Sequence, residues 1–266
     1  MLPIANQPNQ TVRYAALFAL ALTASTAPLT HAQTPWPDKP VKLVVPYAPG
    51  GTTDFAARQI AQKLTEQTGK SFFVENKAGA SGTIGTDLVA KATADGSTLQ
   101  VNDTTYAMLP HLFRKLPWDH GRDLIPVTII AQTPLVVVVS EKSPYKTMTD
   151  LISFAKKNPG KLNYGSGGNG SAGHLAGEMF KAQAGVFMVH IPYAGGNPAQ
   201  LALLSGQVDL NFDNLASASA NVKAGKLRAI AVTTAKRSAA VPELPTIAET
   251  GGALAGFDIH TWFGLF

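Results

Sequence analysis

Three glycine-rich turns, each set between a strand-like run and a helix-like one, constrain this chain more than any other feature. They read Pro49-Gly50-Gly51-Thr52-Thr53-Asp54, Gly165-Ser166-Gly167-Gly168-Asn169-Gly170-Ser171 and Gly195-Gly196. Glycine lets a backbone approach a ligand closely, and a helix start offers unpaired N–H groups and a partial positive charge. The first two loops sit far apart in the chain and predict two jaws closing on a small anion. None of the three turns contains lysine or arginine. The anion is therefore expected to be held by backbone amides, Ser and Thr hydroxyls and water, not by an arginine clamp. That chemistry suits a carboxylate held reversibly better than a phosphate held for transfer.

The order of elements predicts where these turns lie. Val41 to Val45 is a short apolar run ending at Pro46, so a buried strand. The helix beginning near Thr53 or Asp54 places Ala57, Ile60, Ala61 and Leu64 on one face and stops at Gly69. Strands are expected at Ser71 to Glu75, Thr98 to Asn102, Val136 to Val139, Phe187 to Ile191, Leu210 to Phe212 and Ala229 to Thr233. Helices are expected at Thr83 to Ala92, at Met148 to Lys157, after Ser171, and after Gly196 with Asn197 as N-cap. This alternation predicts α/β architecture, with a mixed, mostly parallel sheet and helices on its faces. Ligands of such sheets sit outside the carboxyl ends of the strands, where all three glycine turns fall. The two halves look equivalent, which favours two lobes around a central cleft.

The first 32 residues carry no acid and one charged side chain, Arg13, then the apolar run Tyr14 to Leu22 and the small-residue exit Thr30-His31-Ala32. This is the layout of a cleaved secretory signal peptide, with the apolar core too short for a membrane span. The chain has no cysteine, so it has neither disulfides nor Cys-based metal sites. Its net charge of +5 comes from scattered residues, so a nucleic-acid footprint is not expected.

Other chemistries fare worse. Gly165 to Gly170 satisfies G-x-G-x-x-G, but Val186 to Ile191 lacks the acid that would hold a ribose, and no Gly-Lys-Ser/Thr makes a P-loop. Neither Ser166 nor Ser171 lies in G-x-S-x-G, although either serine with His174 could be drawn as a cleft hydrolase. His174 is a candidate ligand contact or a cap for its own loop. Asp54 at a helix start is expected to organise its loop, because its charge would discourage an adjacent anion. Asp213 suits a pocket wall or a turn, and Tyr193 suits the cleft or a packing role beneath Gly195-Gly196. Six histidines without an H-x-x-x-H pair predict no metal site. No cofactor is expected.

Six segments in register resemble one family. They are Val45 to Asp54, Asn76 to Gly85, Gly165 to Leu175, Ile191 to Gly195, Asp209 to Asn214 and Gly225 to Thr233. They are similar to the tripartite tricarboxylate transporter substrate-binding proteins, the Bug family, over Trp36 to Phe266. The resemblance implies an extracytoplasmic, periplasmic solute receptor with a two-lobed, type II periplasmic binding-protein fold and two hinge crossings. It implies capture of a small carboxylate for delivery to a membrane permease, by a monomer that is not an enzyme. Carried over by position, the ligand contacts are Gly50, Gly51, Thr52, Asp54, Thr104 and Thr105 on one side. Facing them are Gly167, Gly168, Asn169, Gly170, Ser171, His174, Tyr193, Gly195 and Asp213. The implied organisation is a signal peptide at 1–32, lobe one at 33–131, lobe two at 132–232 and a return to lobe one at 233–266. The hinges are expected near Ile130 to Thr133 and Val232 to Thr234. In two respects the chain departs from the family pattern. Ala194 stands where a basic residue is usual, and the run Thr261 to Phe266 ends before the expected C-terminal helices of the first lobe. A partner that senses ligand for a membrane kinase shares every one of these features.

Overall fold

The computed structural model describes residues 36–266, so the expected signal segment at 1–32 lies outside the described residues. The first part of the chain forms β1 (Val41–Val45), α1 (Thr52–Thr68), β2 (Phe72–Asn76), α2 (Thr83–Ala90), β3 (Thr98–Asp103) and α3 (Thr105–Leu112). β1 pairs in parallel with both β2 and β3. Next comes β4 (Thr128–Ser140), then α4 (Met148–Lys157), β5 (Asn163–Ser166), α5 (Ala172–Ala184), β6 (Val189–Pro192) and α6 (Gly196–Leu204). β7 (Leu210–Asn214), α7 (Leu215–Lys223), β8 (Leu227–Val232) and β9 (His260–Leu265) complete the regular elements.

Two five-stranded sheets share β4. Its first half, Thr128 to Pro134, pairs antiparallel with β9, which continues to β3, β1 and β2. Its second half, from Leu135, pairs antiparallel with β7 on one edge and β8 on the other, and β7 continues to β5 and β6. The chain thus crosses between lobes at Pro134-Leu135. The sequence marks only Val136 to Val139 as strand, and the observed strand is 13 residues long. Residues 128–133 are mostly exposed and their partner β9 lies more than a hundred residues downstream, so no local hairpin signal announces them.

Burial explains the continuous apolar run in β4. Leu135, Val137 and Val139 point into a core with Leu151, Tyr164, Phe180 and Phe212, while Val136 and Val138 face Leu203, Leu215 and Val232. Alternate side chains of a strand point to opposite faces, and helices cover both faces here. The first lobe has its own core of Val41, Leu43, Val45, Ala57, Phe72, Val101 and Leu265. The irregular stretch between β8 and β9 lies against the second lobe: Ile247, Leu254 and Phe257 join its first core, and Val241 and Leu244 its second.

α4 spans the expected residues and starts with a capping box: Thr147 Oγ1 accepts from the Asp150 amide, and Asp150 accepts from the Thr147 amide. α6 begins two residues earlier than expected, with Gly195 as its N-cap, so Asn197 lies inside the first turn. Its side chain is instead committed to the other lobe, where its Nδ2 donates to Pro49 O at 3.3 Å.

Close packing at Gly173 seats α5 against β7. A Cβ at this position would lie 2.4 Å from the Phe212 carbonyl oxygen. Gly173→Ala must therefore push helix and strand apart, and is expected to cost about 1–3 kcal/mol. The denaturant midpoint of the variant checks this, and an unchanged midpoint would contradict the packing.

Candidate functional site

Five helices begin where strands end, and all five starts line one cavity of about 60 Å³ between the lobes. α1 contributes Thr52, Thr53 and Asp54, and α3 contributes Thr105. Ser171, Ala172 and Gly173 come from the start of α5, Gly195 and Gly196 from α6, and Asn214 from the start of α7. The first amides of a helix have no carbonyl one turn back to bond, and the helix dipole adds positive potential there. No lysine or arginine lines the cavity.

Two polar oxygens in this wall are buried without a protein partner: Thr52 Oγ1 and Asn214 Oδ1. A buried hydroxyl without a partner costs free energy unless something bonds to it, so Thr52 marks where a ligand acceptor fits.

Three aspartates also line the cavity, and protein donors occupy every one of their oxygens. Asp54 takes Arg58 Nε and the Gly50 amide on Oδ2, and Arg58 Nη2 and Asn76 Nδ2 on Oδ1. Asp103 Oδ1 lies 3.0 Å from the Tyr47 hydroxyl and accepts the Thr105 amide, and its Oδ2 accepts from Thr53 Oγ1. Asp213 Oδ1 accepts from the Asn214 amide and Ser217 Oγ, and its Oδ2 from Gln200 Nε2 at 2.7 Å. These acids brace the loops. Burial pushes the Asp54 carboxyl up, but the bonds from Arg58, Gly50 and Asn76 outweigh it and hold the group below its ordinary value. At Asp213 burial prevails over its three donors and raises the carboxyl.

Of the residues singled out in the sequence, Gly51, Thr52, Asp54, Thr105, Gly167, Ser171, Gly195 and Asp213 line this cavity. Gly168, Asn169 and Tyr193 line an adjoining cavity of about 160 Å³, which shares Tyr47 and Gly167 with the first. Gly50 lines a third hollow beside Phe55. Thr104 Oγ1 lies 3.0 Å from Thr261 Oγ1 and accepts the Trp262 amide, tying α3 to β9. Gly170 donates its amide to His174 Nδ1 at 3.0 Å. His174 thus holds its own loop. Tyr47, Thr53, Asp103, Ser166, Asn211 and Thr261 also line the cavity. Asn211 carried a readable signal, a polar residue inside the apolar strand Leu210 to Phe212; it accepts the Gly165 amide and donates to Ala199 O.

The hydrolase geometry drawn from the sequence does not form. Ser171 Oγ accepts the His174 amide as the N-cap of α5, which is a helix cap and not a nucleophile–base pair. Ser166 Oγ lies 2.7 Å from Nε2 of a different histidine, His190. Among the described residues no group of three or more His, Cys, Asp or Glu side chains could hold a metal. The lobes touch directly, since the Ala48 amide donates to Ala194 O at 3.1 Å.

The model of the tripartite tricarboxylate transporter family receptors, TctC, matches residues 56–266. The chain belongs to this family. It is 41% identical to Rpa4515 of R. palustris, solved with adipate, with a TM-score of 0.83 over 86% of this chain and 77% of that one. It is 35% identical to the periplasmic binding protein BugD, with a TM-score of 0.82 over 86% of this chain and 76% of that one. MatC of Rhodopseudomonas palustris, solved with bound malate, is 32% identical, with a TM-score of 0.81 over 87% and 78%. The two-lobed fold is that of the periplasmic binding proteins, and the expected family is the one found. No described helix is long and apolar enough to cross a membrane.

Asp54 gives this site a defined acid response. Its folded carboxyl is held below the ordinary 3.8, so the stability it contributes is present above pH 3.8 and lost as pH falls through the lowered value. Asp54→Asn is expected to cost about 1–3 kcal/mol at neutral pH, the range for hydrogen bonds to a charged group. Thermal melts across pH should show the gap to wild type closing below pH 3.8. A gap independent of pH would refute the assignment.

Proposed function

We propose that the chain is an extracytoplasmic receptor that captures a small carboxylate between its lobes and delivers it to the membrane permease of a tripartite transporter. The observation that carries this reading is the convergence of five helix starts and the unpartnered Thr52 hydroxyl on one cavity without a basic side chain. Such a wall binds an anion through neutral donors, and the related proteins Rpa4515 and MatC hold adipate and malate. The ligand class is accordingly a short dicarboxylate. We read the protein as periplasmic and monomeric, with its first 32 residues as the export signal.

The packing supports assigning 234–259 to the second lobe, so that β9 itself is the return to the first. We read the cleft as binding and not catalytic. Among the described residues no carboxylate is hydrogen-bonded to the His190 ring beside Ser166, and burial holds His190 down to about 4, which makes it a weak base at neutral pH.

Titration calorimetry with adipate, malate and citrate tests the reading. One of these should bind with one-to-one stoichiometry, and ligand at 100 times its dissociation constant should raise stability by about 2.7 kcal/mol. Thr52→Val should weaken binding roughly tenfold, as expected for one hydrogen bond to a charged group. Absence of heat with every carboxylate, from protein that melts cooperatively, would sink the proposal.

A further inference from the structure

Beneath the second glycine loop lies a pair of histidines outside the lining of the anion cavity. The rings of His174 on α5 and His190 on β6 stack at 4.2 Å between centroids, 24° from parallel, and Tyr164 stacks on His190 from β5 at 4.9 Å. Both histidines reach the loop. The Gly170 amide donates to His174 Nδ1 at 3.0 Å, and the Gly168 amide donates at 3.2 Å to Ser166 Oγ, which itself lies 2.7 Å from His190 Nε2.

The first of these bonds fixes a protonation state. A nitrogen that accepts an N–H carries no proton of its own, so the neutral His174 ring bears its hydrogen on Nε2. A proton added to Nδ1 would set two donors against each other at hydrogen-bond distance. The loop's other bonds centre on Gly168, whose carbonyl accepts the Ser171 amide at 3.1 Å, and Gly168 and Gly170 sit at φ 124° and 78°, in conformations reached at low cost only by glycine.

The surroundings offer an imidazolium little compensation. Lys181 and Glu178 flank the pair from α5, and Tyr164 faces it from β5. Glu178 already accepts from Lys181 Nζ at 2.7 Å and from the Tyr164 hydroxyl at 2.6 Å. Burial, above all, holds both rings below the ordinary histidine value against the opposing pull of the Glu178 carboxylate; Lys181 acts with burial at both rings, and His174 does so at His190.

We propose that His174, backed by His190, is a positioning residue and proton-sensitive latch on the ligand loop: its bare Nδ1 pins Gly170, and a proton there frees 167–171 and releases ligand. The release half of this statement rests on the receptor reading above, while the latch itself does not. His174→Asn is the informative variant, because its Oδ1 occupies the place of Nδ1, accepts the same amide and does not titrate.

The first readout needs no ligand. In ligand-free protein, hydrogen-exchange protection of the Gly170 amide should fall about tenfold between pH 7 and pH 4, while the Leu43 amide in β1 keeps its protection. His174→Asn should hold Gly170 protected at both pH values, and His174→Leu should leave it unprotected even at pH 7. The second readout is calorimetry with adipate. Its dissociation constant should rise about tenfold more in wild type than in His174→Asn over the same interval, the ligand's own titration being common to both. Unchanged Gly170 protection in wild type, an equal fall at Leu43, or equal pH profiles for wild type and His174→Asn would each overturn the latch. If none of adipate, malate and citrate binds either protein at pH 7, the carboxylate reading fails, and the exchange measurement still decides the latch.

Discussion

The sharing of β4 between two sheets is the constraint on which the rest of this molecule depends. Five residues, Leu135 to Val139, are almost fully buried and supply both cores of the second lobe, while the preceding half of the same strand is hydrogen-bonded into the first. The strand passes from one sheet to the other at a proline, which has no N–H to offer a ladder. Thr233 closes the junction: its amide donates to Leu135 O at 3.0 Å, and its hydroxyl accepts the Leu135 amide and donates to Ile259 O at 2.7 Å. Both crossings are thereby fastened at one point. The lobes can rotate about that point with little change to either core, which is the structural requirement for hinge closure.

Around the cleft, electrostatics works by geometry and not by formal charge. Three carboxylates and no basic side chain line the cavity, a census that by itself would repel an anion. The carboxylates are consumed as braces, each oxygen satisfied by a neighbouring donor. What faces inward is the positive end of several peptide arrays, with threonine hydroxyls between them. Neutral donors of this kind bind without the desolvation cost of a buried arginine or lysine. A receptor that must release what it holds benefits from that moderation.

Much of this was legible in the residues. The alternation of short apolar runs with amphipathic stretches placed β1, α1, α4, β7 and β8 within a few residues of their observed bounds. The glycine turns marked the correct ends of the strands. The first half of β4 and all of α3 escaped, for physical reasons. The former depends on pairing with β9 across most of the chain, and the latter carries Pro110 inside a short helix that its packing on β3 sustains. At the site, glycines and threonines announced themselves by their setting, whereas Tyr47 and Asp103 did not. Their roles arise from a hydrogen bond between residues 56 positions apart, and nothing local encodes it. His174 shows the opposite limit: its position was evident, but only coordinates reveal that its ring turns back to its own loop.

Two hydrogen bonds that join the lobes among the described residues each involve a main-chain atom on at least one side. Ala48 meets Ala194 amide to carbonyl, and Asn197 reaches the carbonyl of Pro49. Closure of this kind is indifferent to what side chain stands at positions 48, 49 and 194. Residues at the mouth can therefore be exchanged to suit a different cargo while the jaws still meet in the same way. Divergence in ligand preference is thus uncoupled from the machinery of capture, and one scaffold can serve many nutrients.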